Sequence, residues 1–122
     1  MTLNNKKIVV VMPAYNAGDT LEKTYKEIPK DIVDDVVLVD DQSNDQTLLI
    51  AQKLNIPHII PHEKNKGYGG NQKSCYTKAL AIGADVVIML HPDYQYTPKL
   101  IKSMAYLLAE DVYPVVIGSR IL

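Results

Sequence analysis

Val86-Val87-Ile88-Met89-Leu90 is the stretch that most restricts what this chain can fold into. An uninterrupted apolar run with two Val and one Ile predicts a strand buried on both faces, the pattern of a central strand in a parallel sheet. Pro92 has no N–H to offer a ladder, so the strand ends before it and the chain turns out at its carboxyl end. Asp93 follows at once, with His91 and Gln95 beside it. Ligands of open α/β sheets bind outside the carboxyl ends of the strands. Asp93 therefore stands where a ligand is expected, and its carboxylate reads as an anchor for a metal and a phosphate.

The remaining segments supply the sheet around it. Lys7 to Met12 and Asp35 to Val39 are β-branched, apolar runs, Pro57 to Ile60 is a shorter one, and Val115 to Ile117 closes the series. Helical patterns alternate with them. Asp19 opens the first, with Glu22 as capping-box partner, a stripe of Leu21, Tyr25 and Ile28, and Pro29 as its end. Ser43 or Asn44 caps the second, which carries Leu48, Leu49, Ala51 and Leu54. A glycine-rich loop from His62 to Asn71 runs into the third, which reaches about Ile82. Thr97 and Pro98 start the last as N-cap and N1, and its face is Leu100, Ile101, Met104, Leu107 and Leu108. The alternation β-α-β-α-β-α-β-α-β predicts an α/β fold with a Rossmann-like, doubly wound, mostly parallel sheet and right-handed crossovers. Its commonest arrangement sets strands one and four side by side, so that the loop Pro13 to Asn16 and the turn His91 to Asp93 open into one crevice.

At 122 residues the chain is one domain. A net charge of −1 gives no electrostatic case for nucleic acid, and no apolar run is long enough for a signal sequence or a membrane span. The lone Cys75 excludes an internal disulfide, fits a reducing cytoplasm, and reads as an apolar filler on a helix. The stop at Leu122, just past a sheet strand, predicts a longer protein of which these residues are the first part.

Several groups have two readings. Asp40 and Asp41 form either a solvated turn that caps a helix or a pair accepting hydrogen bonds from a nucleobase N–H or a ribose hydroxyl. Tyr15 is either half-buried packing or a platform for a base. Gly67, Gly69 and Gly70 can cradle phosphates through backbone N–H groups. They are not a dinucleotide fingerprint, because they follow the third strand, and no Gly-Lys-Ser/Thr makes them a P-loop. His91 is read as structural or supporting, while His58 and His62 read as surface or strand-end residues without partners.

Four segments taken together resemble family 2 glycosyltransferases, and within them the dolichyl- or polyprenyl-phosphate sugar transferases. They are Val10 to Asn16, Val39 to Thr47, Asn65 to Gly70 and Gly118-Ser119-Arg120, in the family's order and rough spacing. The resemblance implies a GT-A fold, a nucleotide-sugar donor (UDP- or GDP-linked), Mg²⁺ or Mn²⁺, and inversion at the anomeric carbon. It implies that Pro13, Tyr15 and Asp41 hold the base, with Ala14 and Asn16 in the same loop, and that Asp40 supports the second loop. Gly67, Gly70 and Lys73 fall in the donor-binding segment that follows. Asp93 matches the last acid of an Asp-X-Asp metal motif, with His91 as a second candidate ligand and Gln95 as the glutamine that often follows; Arg120 lies towards the phosphate or acceptor. The general base is expected after Leu122. The acceptor is then a polyprenyl phosphate or an envelope glycan, and the full-length protein sits in the cytoplasm or at the inner face of a membrane.

The chain departs from the family pattern in three places. Ala17 stands where an acid often follows the Tyr-Asn pair, Gln42 replaces the glycine of an Asp-Asp-Gly-Ser turn, and His91 replaces the first acid of the metal motif. The rival readings are a binding module that kept the pocket without transfer, a nucleotidyltransferase, and a phospho-acceptor receiver. A nucleotidyltransferase carries a glycine-rich, Arg-containing loop after strand one, which Pro13 to Asn16 lacks. A receiver carries its acidic pair after the first strand, whereas here the pair follows the second.

Overall fold

A computed structural model describes residues 5–93, 98 and 100–109. The closing strand expected at 115–117, together with Gln95, Thr97 and Arg120, lies outside the described residues. Within them the order is β1 (Ile8–Ala14), α1 (Leu21–Lys26), β2 (Asp35–Asp40), α2 (Thr47–Lys53), β3 (His58–Pro61), α3 (Gly67–Ala81), β4 (Val86–Met89) and α4 (Leu100–Ala109). The strands form one parallel sheet in the order β3-β2-β1-β4. Strands one and four are thus neighbours, as expected, and the order reverses between them.

The period of two along β1 divides the core. Ile8, Val10, Met12 and Ala14 face one side, where they pack with Leu21, Ile28, Leu38, Ala51, Ile101 and Ala105. Val9 and Val11 face the other with Val37 and Val39, and there Cys75 and Ala79 of α3 close over them. Small residues on α3 let its axis come near the sheet. Burial pushes the Cys75 thiol up to about 12, so it is an inert part of this layer.

Pro13 sits inside a central strand, which its missing N–H would normally forbid. The Val11 carbonyl accepts from Leu90 on the β4 side, and the Ala14 carbonyl accepts from Asp41 on the β2 side. Alternate residues face alternate neighbours, so Pro13 falls on the β4 side. That ladder has already ended at Val11 and Met89, and no donor is missed.

Several local expectations are corrected. β4 pairs only with β1 among the described residues, and Val87 and Met89 on its α3 face are half-buried, so the run is not sealed on both sides. Asp19 does not cap α1, whose first turn is made by Thr20 and Leu21 N–H groups donating to the Ala17 carbonyl. On α2 the buried residues are Thr47 and Ala51, while Leu49 is exposed. On α4 the buried row is Ile101, Ala105 and Ala109, spaced four apart, and Leu100 is exposed. In both helices a small residue at the contact outranks a larger neighbour, because it allows closer approach to the sheet. His58 is not partnerless either, since its Nε2 lies 3.0 Å from an Asp35 carboxylate oxygen.

Candidate functional site

The carboxyl ends of β1, β2 and β4 and the start of α3 enclose a cleft of about 570 Å³. Pro13, Ala14, Tyr15 and Ala17 line it from β1, Asp41 from β2, and His91, Pro92 and Asp93 from β4. Asn65, Gly67, Tyr68 and Asn71 form the wall contributed by α3. The reversal of strand order between β1 and β4 produces this opening, because successive crossovers leave the sheet in opposite directions there.

The two aspartates divide their labour. Asp40 is buried and turned away from the cleft; its carboxylate accepts from the Ser43 N–H at 3.2 Å and from the Ser43 hydroxyl. Ser43 Oγ in turn accepts from the Asn16 N–H at 2.9 Å, and Asn16 Oδ1 accepts from the Asn44 N–H at 2.7 Å. Ser43 and Asn44 therefore join the two loops. The N-cap of α2 is Gln46, which makes no side-chain cap bond; Asp45 just before it accepts from the Thr47 N–H at 2.9 Å through Oδ1 and from the Gly18 N–H at 3.0 Å through Oδ2. Gln42 takes the left-handed conformation, with φ +59°, that a glycine would adopt freely. Its side chain offsets that cost: Nε2 donates to the Glu63 carbonyl at 2.9 Å, and Oε1 accepts from the Asn65 N–H at 3.2 Å.

Asp41 is also buried, yet it faces the cleft. Burial by itself would raise its pKa, but the Lys66 N–H, then the His62 ring, then the Gly67 N–H outweigh that, and the carboxyl sits below its usual range. Its Oδ1 lies 2.7 Å from the Lys66 nitrogen and 2.8 Å from His62 Nδ1. His62 is buried and its Nε2 lies 2.8 Å from Ser74 Oγ, which overturns the reading of this histidine as a residue without partners.

The glycine-rich segment is loop over 62–66 and helix from Gly67 on, so all three glycines lie in α3. α3 begins at Gly67, which has φ +75°, and the Asn65 side chain accepts from its N–H at 3.0 Å. A Cβ on Gly70 would stand 2.6 Å from Lys66 Cβ, so that glycine serves close packing of the first turn. Asn71 is buried at the floor of the cleft, and its Nδ2 donates to the Val39 carbonyl at 3.1 Å and the Ala14 carbonyl at 3.4 Å. One amide thereby ties the exits of β1 and β2.

On the β4 side, the hydroxyls of Thr20 and Thr24 donate to the Pro92 carbonyl, the latter at 3.3 Å, so α1 fixes the turn that presents Asp93. Asp93 is exposed at the cleft. His91 Nε2 lies 3.1 Å from the Tyr68 hydroxyl and the two rings stack at 5.6 Å, so this nitrogen is engaged by a tyrosine. No three His, Cys, Asp or Glu side chains gather as a metal cage among the described residues.

The structure thus brings Pro13, Ala14, Tyr15, Asp41, Gly67, His91 and Asp93 together around one cleft. Asn16 and Asp40 are not on its wall and act by holding the loops. Gly70 and Lys73 line a different hollow, with Ser74, Thr77 and Lys78 on another side of α3, and so do not share the cleft as expected. Gln95 and Arg120 lie outside the described residues. Sequence reasoning missed His62, Tyr68 and Asn71. The glycines drew attention to backbone there, while the helical spacing from Gly67 to Asn71, which puts both on one face, was the usable signal.

Residues 9–122 match the model of the family described as Glycosyl transferase family 2. Among curated proteins, the chain is similar to the UDP-N-acetylglucosamine–dolichyl-phosphate N-acetylglucosaminyltransferase of Methanococcus voltae. They are 29% identical over 133 residues, covering 96% of this chain and 53% of that protein. An uncharacterized protein of Methanocaldococcus jannaschii is 31% identical over 120 residues, covering 98% of this chain and 49% of its own length. The chain therefore spans about half the length of the curated relatives it matches. Among solved structures, glucosyl-3-phosphoglycerate synthase of Mycobacterium tuberculosis, in complex with Mn²⁺, UDP and glucosyl-3-phosphoglycerate, superposes with a TM-score of 0.71 at 22% identity. That match covers 86% of this chain and 40% of the synthase. TarS of S. aureus superposes with a TM-score of 0.65 at 26% identity, over 85% of this chain and 32% of TarS. These likenesses establish the shared glycosyltransferase fold.

Proposed function

The chain belongs to glycosyltransferase family 2, and on that premise we propose that its cleft holds the nucleotide end of a sugar donor, a UDP-sugar before a GDP-sugar. One observation carries the reading: Tyr15, Asp41 and Asp93, delivered by three different strand ends, line the same cleft. UDP is preferred because the Methanococcus relative is named for a UDP-sugar and the mycobacterial neighbour is a complex with UDP.

In this reading Tyr15, half exposed at 51%, stacks on the base. Asp41, ionised and held by fixed donors, accepts from a base N–H or a ribose hydroxyl. A hard divalent cation fits Asp93: Mg²⁺ and Mn²⁺ bind through one or two carboxylates completed by substrate phosphates and water. The residues present supply one such carboxylate, so Asp93 would hold the cation together with the nucleotide. When bound, that cation supplies charge neutralisation for the departing diphosphate. An acceptor oxygen attacks the anomeric carbon from the opposite face, the bond to the diphosphate breaks, and the centre inverts. A hydroxyl acceptor needs a general base, whereas an ionised phosphate needs little help.

A polyprenyl phosphate acceptor follows from the same relative, and with it attachment at the inner face of a membrane. No helix among the described residues is long and apolar enough to cross one. A second reading, a donor-binding module without transfer, is favoured by His91 turning its Nε2 to Tyr68 where the family has an acid. Release of sugar from the donor separates the two.

Calorimetry with UDP- and GDP-sugars, with and without Mn²⁺, tests the proposal. Metal-assisted binding is expected, weakened about tenfold or more by Asp93→Ala. Equal affinity without metal, or in the variant, would overturn the role of Asp93.

A further inference from the structure

His62 has no place in the chemistry above, yet it is among the most constrained polar groups in the chain. Its side chain is 3% exposed. It bridges two elements: Nδ1 meets Asp41 Oδ1 at the end of β2, and Nε2 meets Ser74 Oγ on α3. Its own backbone N–H is anchored on the Asp40 carbonyl at 2.8 Å, which fixes the main chain from which the ring projects.

Asp41 is the cleft's inner carboxylate, and its orientation depends on what holds Oδ1. The Lys66 N–H is one holder and the His62 ring is the other. An imidazole is suited to this task because it is rigid and carries a polar atom at each end. With Nδ1 protonated it donates to Asp41, which leaves Nε2 for Ser74. The Ser74 hydroxyl serves either state of that nitrogen. It donates to Nε2 when the ring is neutral, and when Nε2 carries a proton it accepts and turns its own hydrogen to the Gly70 carbonyl, 3.2 Å away. Neither state leaves a buried donor or acceptor stranded.

We propose that His62 is a positioning residue for nucleoside recognition: Nδ1–H holds the Asp41 carboxylate turned for the donor's base or ribose, and Ser74 holds the ring. The inference rests on the reading of the cleft as a nucleotide site. It extends that reading by assigning the orientation of Asp41 to a specific N–H on a residue that does not touch the ligand.

The stereochemistry of amide substitutes gives a discriminating test. Asn places its Nδ2 close to the position of histidine Nδ1, whereas Gln places its Nε2 close to that of Nε2. Calorimetric titration of the purified chain with UMP and with UDP plus Mn²⁺ should show His62→Gln binding about tenfold more weakly than wild type. His62→Asn should recover most of that loss, and Ser74→Ala should cost about threefold. UMP and UDP should lose affinity by the same factor, because the contact is to the nucleoside. Equal losses in the Asn and Gln variants would mean that the ring is only packing, and would overturn the proposal, as would binding by all three variants within twofold of wild type. If His62→Gln does not fold, as judged by its thermal midpoint, Ser74→Ala decides: unchanged affinity overturns the proposal and weaker nucleoside binding supports it. A wild-type chain that binds neither UMP, UDP nor a GDP-sugar would instead remove the nucleotide reading itself, an outcome distinct from all of these.

Discussion

Asn71 offers the sharpest test of how the cleft is held open. The residue is 2% exposed, and its amide donates to the Val39 carbonyl at 3.1 Å and to the Ala14 carbonyl at 3.4 Å. The shorter bond is of ordinary buried strength and the longer is weak. Removing both leaves the Ala14 carbonyl with the Asp41 N–H alone, takes the side-chain donor from the Val39 carbonyl, strips the Cys75 thiol of its partner, and costs about 2–3 kcal/mol. Alanine returns about 0.6 kcal/mol through its higher helix propensity, so Asn71→Ala should lose about 2 kcal/mol. Asn71→Asp keeps the shape but cannot donate when ionised. It sets a buried charge against two carbonyl oxygens and should lose about 3–5 kcal/mol. Urea denaturation at neutral pH, followed by circular dichroism with the slope checked for constancy, measures both. An aspartate variant no less stable than the alanine variant would refute the assignment, because the order of the two depends on the direction of donation and not on packing.

Stability should also fall in acid with a definite sign. The Asp41 carboxyl is lowered despite its burial, through the Lys66 N–H, His62 and the Gly67 N–H; Asp45 is lowered despite its burial through the Thr47 hydroxyl and the Thr47 and Gly18 N–H groups. The unfolded chain then binds more protons than the folded one as pH drops below the ordinary carboxyl range. Their contribution is present above a pH of about 4 and is lost as pH falls through the depressed folded values. The urea midpoint should be flat above a pH of about 5 and drop below about 4, less steeply in Asp41→Asn with Asp45→Asn. Gln42→Gly should change stability by less than about 1 kcal/mol in the same assay, because relief of the left-handed backbone is offset by two lost side-chain hydrogen bonds and a freer unfolded chain. A loss of more than about 2 kcal/mol would mean that the Gln42 bonds to Glu63 and Asn65 hold the turn.

The architecture was legible because its signals are redundant. Each of β1, β2 and β4 is a run rich in β-branched residues, and α1, α2 and α4 carry apolar residues at helical spacing, so no single misreading there could change the alternation. What misled was side-chain size. Leu49 and Leu100 are bulky yet exposed, while Thr47 and Ala51 are buried on α2, and Ala105 and Ala109 are buried beside Ile101 on α4. Hydrophobicity predicts which face turns inward but not which residue lies nearest the sheet, since that depends on interaxial distance. Capping failed for a related reason. Ser43, Asn44 and Asp45 are all competent caps, and only the neighbouring loop, through Asn16 and Gly18, decides which side chain is drawn elsewhere.

In the site, what could be read were the residues whose position follows from a strand end: Tyr15, Asp41 and Asp93. What could not be read were the partners that the fold brings from elsewhere, such as His62, 21 residues from Asp41, and Tyr68, 23 residues from His91. The second pair bears on how a cation would be held. An acid at position 91 would add a charge within reach of the same ion; a histidine adds none when neutral, and here its Nε2 faces the Tyr68 hydroxyl 3.1 Å away. On the proposed reading the protein's share of the ligand set would then fall to Asp93, and the diphosphate would supply the rest of the negative charge. A cation so held gains most of its stabilisation only once the nucleotide is present, and the nucleotide gains most of its own only with the cation. On that reading cation and nucleotide would bind in mutual dependence, and the tyrosine engaging His91 is the observation that favours this over a resident metal awaiting a donor.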